Sequence, residues 1–138
     1  MVEETLILIK PDAVAANNIG KILAIYEANG LKIIAMRMLI MNDQLAAKHY
    51  KEHIGKPFYE KLVTFMTSGP LVAAVLKGDN AIERVRSIHG ATDPTQAEAG
   101  TIRKLFATDK TRNAVHASDS ATSAKREIHV FFSEAEIF

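Results

Sequence analysis

The chain has 138 residues, 17 basic against 16 acidic for a formal charge of +1, 48% hydrophobic residues and no cysteine. This length corresponds to about one domain, expected over residues 1–138, that can bury roughly two-thirds of its unfolded surface without covalent staples. The missing cysteines exclude disulfides, thiolate nucleophiles and cysteine-based zinc sites, and the balanced charge excludes the basic field that drives nonspecific nucleic-acid binding. The first residues, Met1-Val2-Glu3-Glu4, are acidic, and no apolar run approaches the roughly 20 residues that a membrane span needs. A cytoplasmic protein without a membrane segment is expected.

Residues 4–9 (ETLILI) read as a buried strand that breaks at Lys10-Pro11 and leaves Lys10 at its end. Apolar Ile19, Ile22, Leu23, Ile25 and Tyr26 follow helical spacing, which predicts a helix over 19–29 closed by Gly30. Residues 31–41 read as a second strand. Two helices follow, near 43–52 and 58–67, divided by Gly55-Lys56-Pro57. Residues 70–76 (PLVAAVL) form an apolar third strand, and 80–88 a helix with Ile82, Val85 and Ile88 on one face. The turn-rich stretch 90–99 suits an ordered functional loop better than a linker. A short helix at 102–106, a helix at 120–125 and a last strand at 128–132 complete the order. The resulting βαββαβ sequence with helical and loop additions predicts a ferredoxin-like α+β sandwich, whose four-stranded antiparallel sheet carries helices on one face.

The most informative stretch is Asn113-Ala114-Val115-His116-Ala117-Ser118-Asp119-Ser120. A histidine flanked by small residues can be approached by a bulky anion, while short polar neighbours orient its ring. An isolated histidine is more often structural, and His49, His53, His89 and His129 have no comparable setting. His129, between Ile128 and Val130, alternates as a sheet residue would. Lys10, Arg84, Arg86 and Arg103 can form a local anion site if the fold gathers them. There is no Gly-x-x-x-x-Gly-Lys-Ser/Thr loop, no protein-kinase loop and no paired spacing for a dedicated metal site.

Six segments occur in the order of one family: TLILIKPD at 5–12, HIGKPF at 53–58, TSGP at 67–70, GATDP at 90–94, GTIR at 100–103 and NAVHASDS at 113–120. On these the chain resembles the nucleoside diphosphate kinases along nearly its whole length. The resemblance implies transfer of the γ-phosphate of a nucleoside triphosphate to a nucleoside diphosphate, by a ping-pong route through phosphohistidine at His116. Glu127 and Ser118 would support the ring, and Tyr50 would lie near the transferred phosphate. Lys10, Arg86, Arg103 and Thr92 would hold the phosphates, Asn113 the sugar, and Phe58 would stack on any base. Mg²⁺ would arrive bridging the nucleotide phosphates. The family also implies a homo-oligomer, and the end at Glu136-Ile137-Phe138 tilts the expectation from hexamer toward tetramer. One departure is Ala117, where the family usually has glycine. A methyl group there raises the cost if the position needs positive φ or lies close to phosphate, and a non-catalytic nucleotide sensor is the rival reading that it favours.

Overall fold

The computed structural model describes residues 1–138, in which a four-stranded antiparallel sheet has the strand order β2-β3-β1-β4. β1 (Val2–Ile9) and β3 (Leu71–Asp79) are the central pair, β2 (Lys32–Leu39) is one edge, and β4 (Val115–Ala117) is the other. The helices are α1 (Pro11–Ala15), α2 (Ile19–Ala28), α3 (Asp43–His49), α4 (Tyr59–Met66), α5 (Ala81–His89), α6 (Ile102–Phe106) and α7 (Ala121–Phe131). The order and pairing match the expected ferredoxin-like sandwich.

Both faces of the sheet are covered, which extends the expectation of helices on one face. Leu6 and Leu8 of β1 join Leu71, Ala73 and Val75 of β3 in a core closed by α3, α4 and α7. The alternate residues Ile7 and Ile9, with Val72, Ala74 and Leu76, join a second core closed by α1, α2, α5 and α6. A strand buried on both sides loses its polar alternation, so LILI and LVAAVL run apolar without interruption.

The fourth strand corrects the sequence reading. Residues 128–132 are not a strand: Ile128, His129, Val130 and Phe131 complete α7, and the three-residue β4 supplies the outer strand. Ser120 caps α7 by accepting from the Ser123 amide at 3.1 Å. Ala124, Glu127, Ile128 and Phe131 then form its buried stripe at helical spacing. His129 faces outward and contacts Glu134 at 2.7 Å. A second addition is α1, which begins at Pro11; proline at the first helical position removes no intrahelical hydrogen bond, so the break after β1 also starts a helix.

Candidate active site

His116 sits in the middle of β4, opposite Leu8 of β1. Alternation along the strand sends Val115 into the core beneath α5 and turns His116 toward α3 and α7. Three contacts from the end of β1 hold the preceding turn. The Lys10 amide donates to the Ala114 carbonyl at 2.8 Å, the Ala114 amide donates to Asp12 Oδ2 at 3.1 Å, and Lys10 Nζ donates to Asn113 Oδ1 at 2.8 Å. Ala114 has φ +72°, so these contacts restrain a residue in the left-handed region. The Lys-Pro-Asp segment thus ends β1, starts α1 and fixes the entry into β4.

The strained position is Ala114 and not Ala117. Ala117 pairs with Ile7 in the ladder with ordinary strand geometry, so its methyl group carries no positive-φ penalty.

On its far side the His116 ring is held by α7. Nε2 lies 2.7 Å from Glu127 Oε1, and the same oxygen accepts the Ser118 hydroxyl at 3.0 Å. Glu127 and Ser118 are both buried. A carboxylate accepting at Nε2 selects the tautomer with hydrogen on Nε2 and leaves the Nδ1 lone pair available. The second carboxylate oxygen lies 3.8 Å from the Arg126 guanidinium.

Lys10, Arg86, Thr92, Arg103, Asn113 and His116 line one cavity of about 380 Å³. No carboxylate lines it, so its field is strongly positive. Lys10 is nearly buried, and burial chiefly, with the Arg103 charge second, lowers its pKa to about 8; Asp12 acts in the opposite direction. Burial, then the Arg86 charge, also lowers the pKa of Arg103. Arg103 donates to the Gly90 and Val115 carbonyls, each at 2.9 Å, joining α6 to the end of α5 and to β4. Asn113 is similarly engaged: besides accepting from Lys10, its amide donates to the Lys110 carbonyl at 3.0 Å.

Phe58 precedes α4 and is 44% exposed, an aromatic face presented in a groove of about 360 Å³. Lys10, Thr92 and Lys110 line both this groove and the cationic cavity, which joins the aromatic end to His116. Tyr50 lines a smaller cavity of about 190 Å³ with Arg86, His116 and Glu127; burial first, and the Glu127 charge second, push its phenol pKa up. The fold thus gathers the other nine sequence-predicted residues around His116 and the cavities that adjoin it.

Four further residues belong to this neighbourhood. Asp12 stood inside a motif, but its hydrogen bond to Ala114 had no sequence signal. Arg126 adjoins Glu127 in sequence, and Lys110 lies in the turn before Asn113. His49 was set aside as having no special setting; it lies against His116 with ring centroids 4.9 Å apart. Ligand atoms of His49, His116 and Glu127 lie within 4.8 Å of one another. Arg86 and Arg126 line the same cavity, and their positive charges make the trio a poor cation cage.

The family model for nucleoside diphosphate kinase matches residues 3–137. A nucleoside diphosphate kinase of Haemophilus ducreyi is 55% identical over 137 residues, covering 99% of each chain, and one of Clostridium perfringens is 54% identical over 130 residues, covering 94% of this chain and 91% of the relative. Among solved structures, the Aquifex aeolicus nucleoside diphosphate kinase superposes with a TM-score of 0.98 at 47% identity and full coverage of both chains. The halophilic nucleoside diphosphate kinase from Halobacterium salinarum in complex with CDP superposes with a TM-score of 0.96 at 39% identity, covering 100% of this chain and 92% of the other. A histidine held by a buried carboxylate beside a cationic cavity therefore occurs on a chain that belongs to the nucleoside diphosphate kinase family.

Proposed function

We propose that the chain moves a γ-phosphoryl group between nucleotides through Nδ1 of His116. The observation that carries this reading is the 2.7 Å contact of His116 Nε2 with Glu127. With hydrogen held on Nε2, the Nδ1 lone pair attacks the γ-phosphorus in line, the bond to the β,γ-bridging oxygen breaks, and its electron pair leaves with the nucleoside diphosphate. The ring gains positive charge as the N–P bond forms, and the Glu127 carboxylate, hydrogen-bonded by Ser118, offsets it. Lys10, Arg86 and Arg103, with the Thr92 hydroxyl, stabilise negative charge on the moving phosphoryl group and the leaving diphosphate. Reversal with a second nucleoside diphosphate returns the histidine and completes the exchange.

The true substrate is the Mg²⁺–nucleotide complex. A cavity with four cationic side chains and no carboxylate offers a hard divalent ion no protein ligand set, which fits a metal carried in on the phosphates. Phe58 receives the base by stacking, a contact every base can make, and the Halobacterium salinarum relative is in complex with a nucleoside diphosphate, CDP. Asn113 contacts the sugar and Tyr50 flanks the transferred phosphoryl group.

The working form is a homo-oligomer, a tetramer in preference to a hexamer. Support for association comes from edge strand β2 and the residue after it, where Met36, Met38 and Ile40 are exposed. No helix is long and apolar enough to cross a membrane, and the cysteine-free sequence suits a reducing cytoplasm.

Steady-state kinetics with ATP and a second nucleoside diphosphate test the exchange. Double-reciprocal plots at several fixed acceptor concentrations are expected to be parallel. Intersecting lines would require both nucleotides to be bound at once and would exclude a phosphoenzyme route.

A further inference from the structure

We propose that His49 is a positioning residue for His116, acting through the shape of its ring and not through its nitrogens. His49 ends α3 and is 3% exposed. Its ring meets the His116 ring edge to face, at 4.9 Å between centroids and 82° between planes. Phe131 of α7 backs it at 5.3 Å and 68°, and Tyr50 flanks it at 4.5 Å and 71°. Edge-to-face packing of this kind resists rotation of either ring.

Neither nitrogen of His49 has a hydrogen-bond partner in the protein. A buried polar group without a partner destabilises a fold and calls for a reason, and no hydrogen bond within the protein supplies one for His49. What the site uses is a flat side chain between Phe131 and His116. A half-turn of the His116 ring about its Cβ–Cγ bond would take Nε2 off Glu127 and Nδ1 off its attack position, and the packed His49 ring blocks that turn. Burial, reinforced by the neighbouring His116 and Arg126 charges, lowers the pKa of His49 well below the usual histidine value. The neutral ring therefore adds no positive charge beside the imidazolium that forms on His116. The inference rests on the reading of His116 as the group that accepts the phosphoryl.

Three variants, His49→Phe, His49→Leu and His49→Ala, separate ring shape from ring chemistry, and the leucine variant keeps a comparison in hand if alanine impairs folding. The readouts are the ring-nitrogen NMR signals of His116 in nucleotide-free protein, the single-turnover phosphorylation rate, and the dissociation constant for ADP. With alanine or leucine, the single Nε2–H signal pattern is expected to broaden or split. The phosphorylation rate then falls roughly tenfold or more, as for a misplaced reacting group, while the ADP dissociation constant changes by less than about twofold. Phenylalanine restores both signal pattern and rate, and raises Tm by about 3 °C because two unpartnered nitrogens leave the core. A phenylalanine variant as slow as alanine would show that the nitrogens matter, and alanine with wild-type signals and rate would show that nothing is positioned; either result overturns the proposal. Should the signal pattern follow ring shape while wild-type protein never becomes phosphorylated, the kinase reading would fall and the positioning would stand.

Discussion

At the scale of single residues, the site depends on buried groups whose charge the fold makes costly. Lys10 has a folded pKa of about 8 because burial disfavours its ammonium form, against about 10.4 for an unperturbed lysine. Between these values the unfolded chain binds more protons than the folded one, so this group makes stability rise with pH from about 8 to about 10.4. Under the proposed role of Lys10, phosphate binding moves the other way, since it needs the ammonium. The affinity for ADP is expected to fall as pH rises above about 8 in wild type, and to lose that step in Lys10→Met; calorimetric titrations across this range would read it. Glu127→Gln keeps a hydrogen-bond acceptor at Nε2 but removes the charge that, in the proposed mechanism, stabilises the imidazolium. A loss of about 10²-fold in the phosphorylation rate is expected, with nucleotide binding unchanged, in a rapid-quench measurement. His116, Lys10 and Arg103 were legible in the sequence because they lie within short motifs, whereas Arg86 lies outside those segments and was read from the resemblance along the chain. His49 was not: its importance comes from where α3 ends relative to β4, a juxtaposition of residues far apart in the chain.

At the scale of elements, the turn that ends α5 helps hold the site together. Gly90 ends α5 with φ +85°, and a Cβ there would stand 2.6 Å from Thr101 Oγ1 and 2.7 Å from Thr101 Cβ. The Gly90 carbonyl also receives Arg103. Gly90→Ala is therefore expected to cost about 2 kcal/mol, combining backbone strain and a steric clash, and to lower Tm by roughly 6–10 °C in a thermal melt. The elements most readable from sequence were those with long patterns: β1, α2, β3 and α5 differ from expectation only at their ends. Readings failed where local composition opposed the longer period. Ile128-His129-Val130-Phe131-Phe132 is rich in residues that favour strands, yet Ala124, Ile128 and Phe131 share a helical stripe that begins at the Ser120 cap. Glu127 interrupts that stripe with a charge, a side chain rarely found buried without a partner. In the fold it is the stripe's one buried carboxylate, and it faces His116. β4 was invisible as a strand because three residues are too few to show alternation.

For the whole molecule, the sheet order leaves β2 as an edge strand paired only with β3, with the Phe138 amide donating to its Ile34 carbonyl at 2.8 Å. Met36 and Met38 on this edge, followed by Ile40, form an exposed apolar row that self-association would cover. A mass of four times the 15.2 kDa protomer is expected from light scattering coupled to size exclusion. Met38→Lys, which sets charges against each other at a symmetric edge, is expected to lower it. A monomeric wild type with full activity would remove association from the working form.

The most direct measurement incubates the protein with γ-labelled ATP and Mg²⁺, then adds GDP, with His116→Ala in parallel. Acid-labile label on the wild-type protein, released by GDP as labelled GTP and absent from the variant, is the predicted result. Binding of ATP without any label on the protein, or equal labelling of His116→Ala, would contradict phosphoryl transfer through His116.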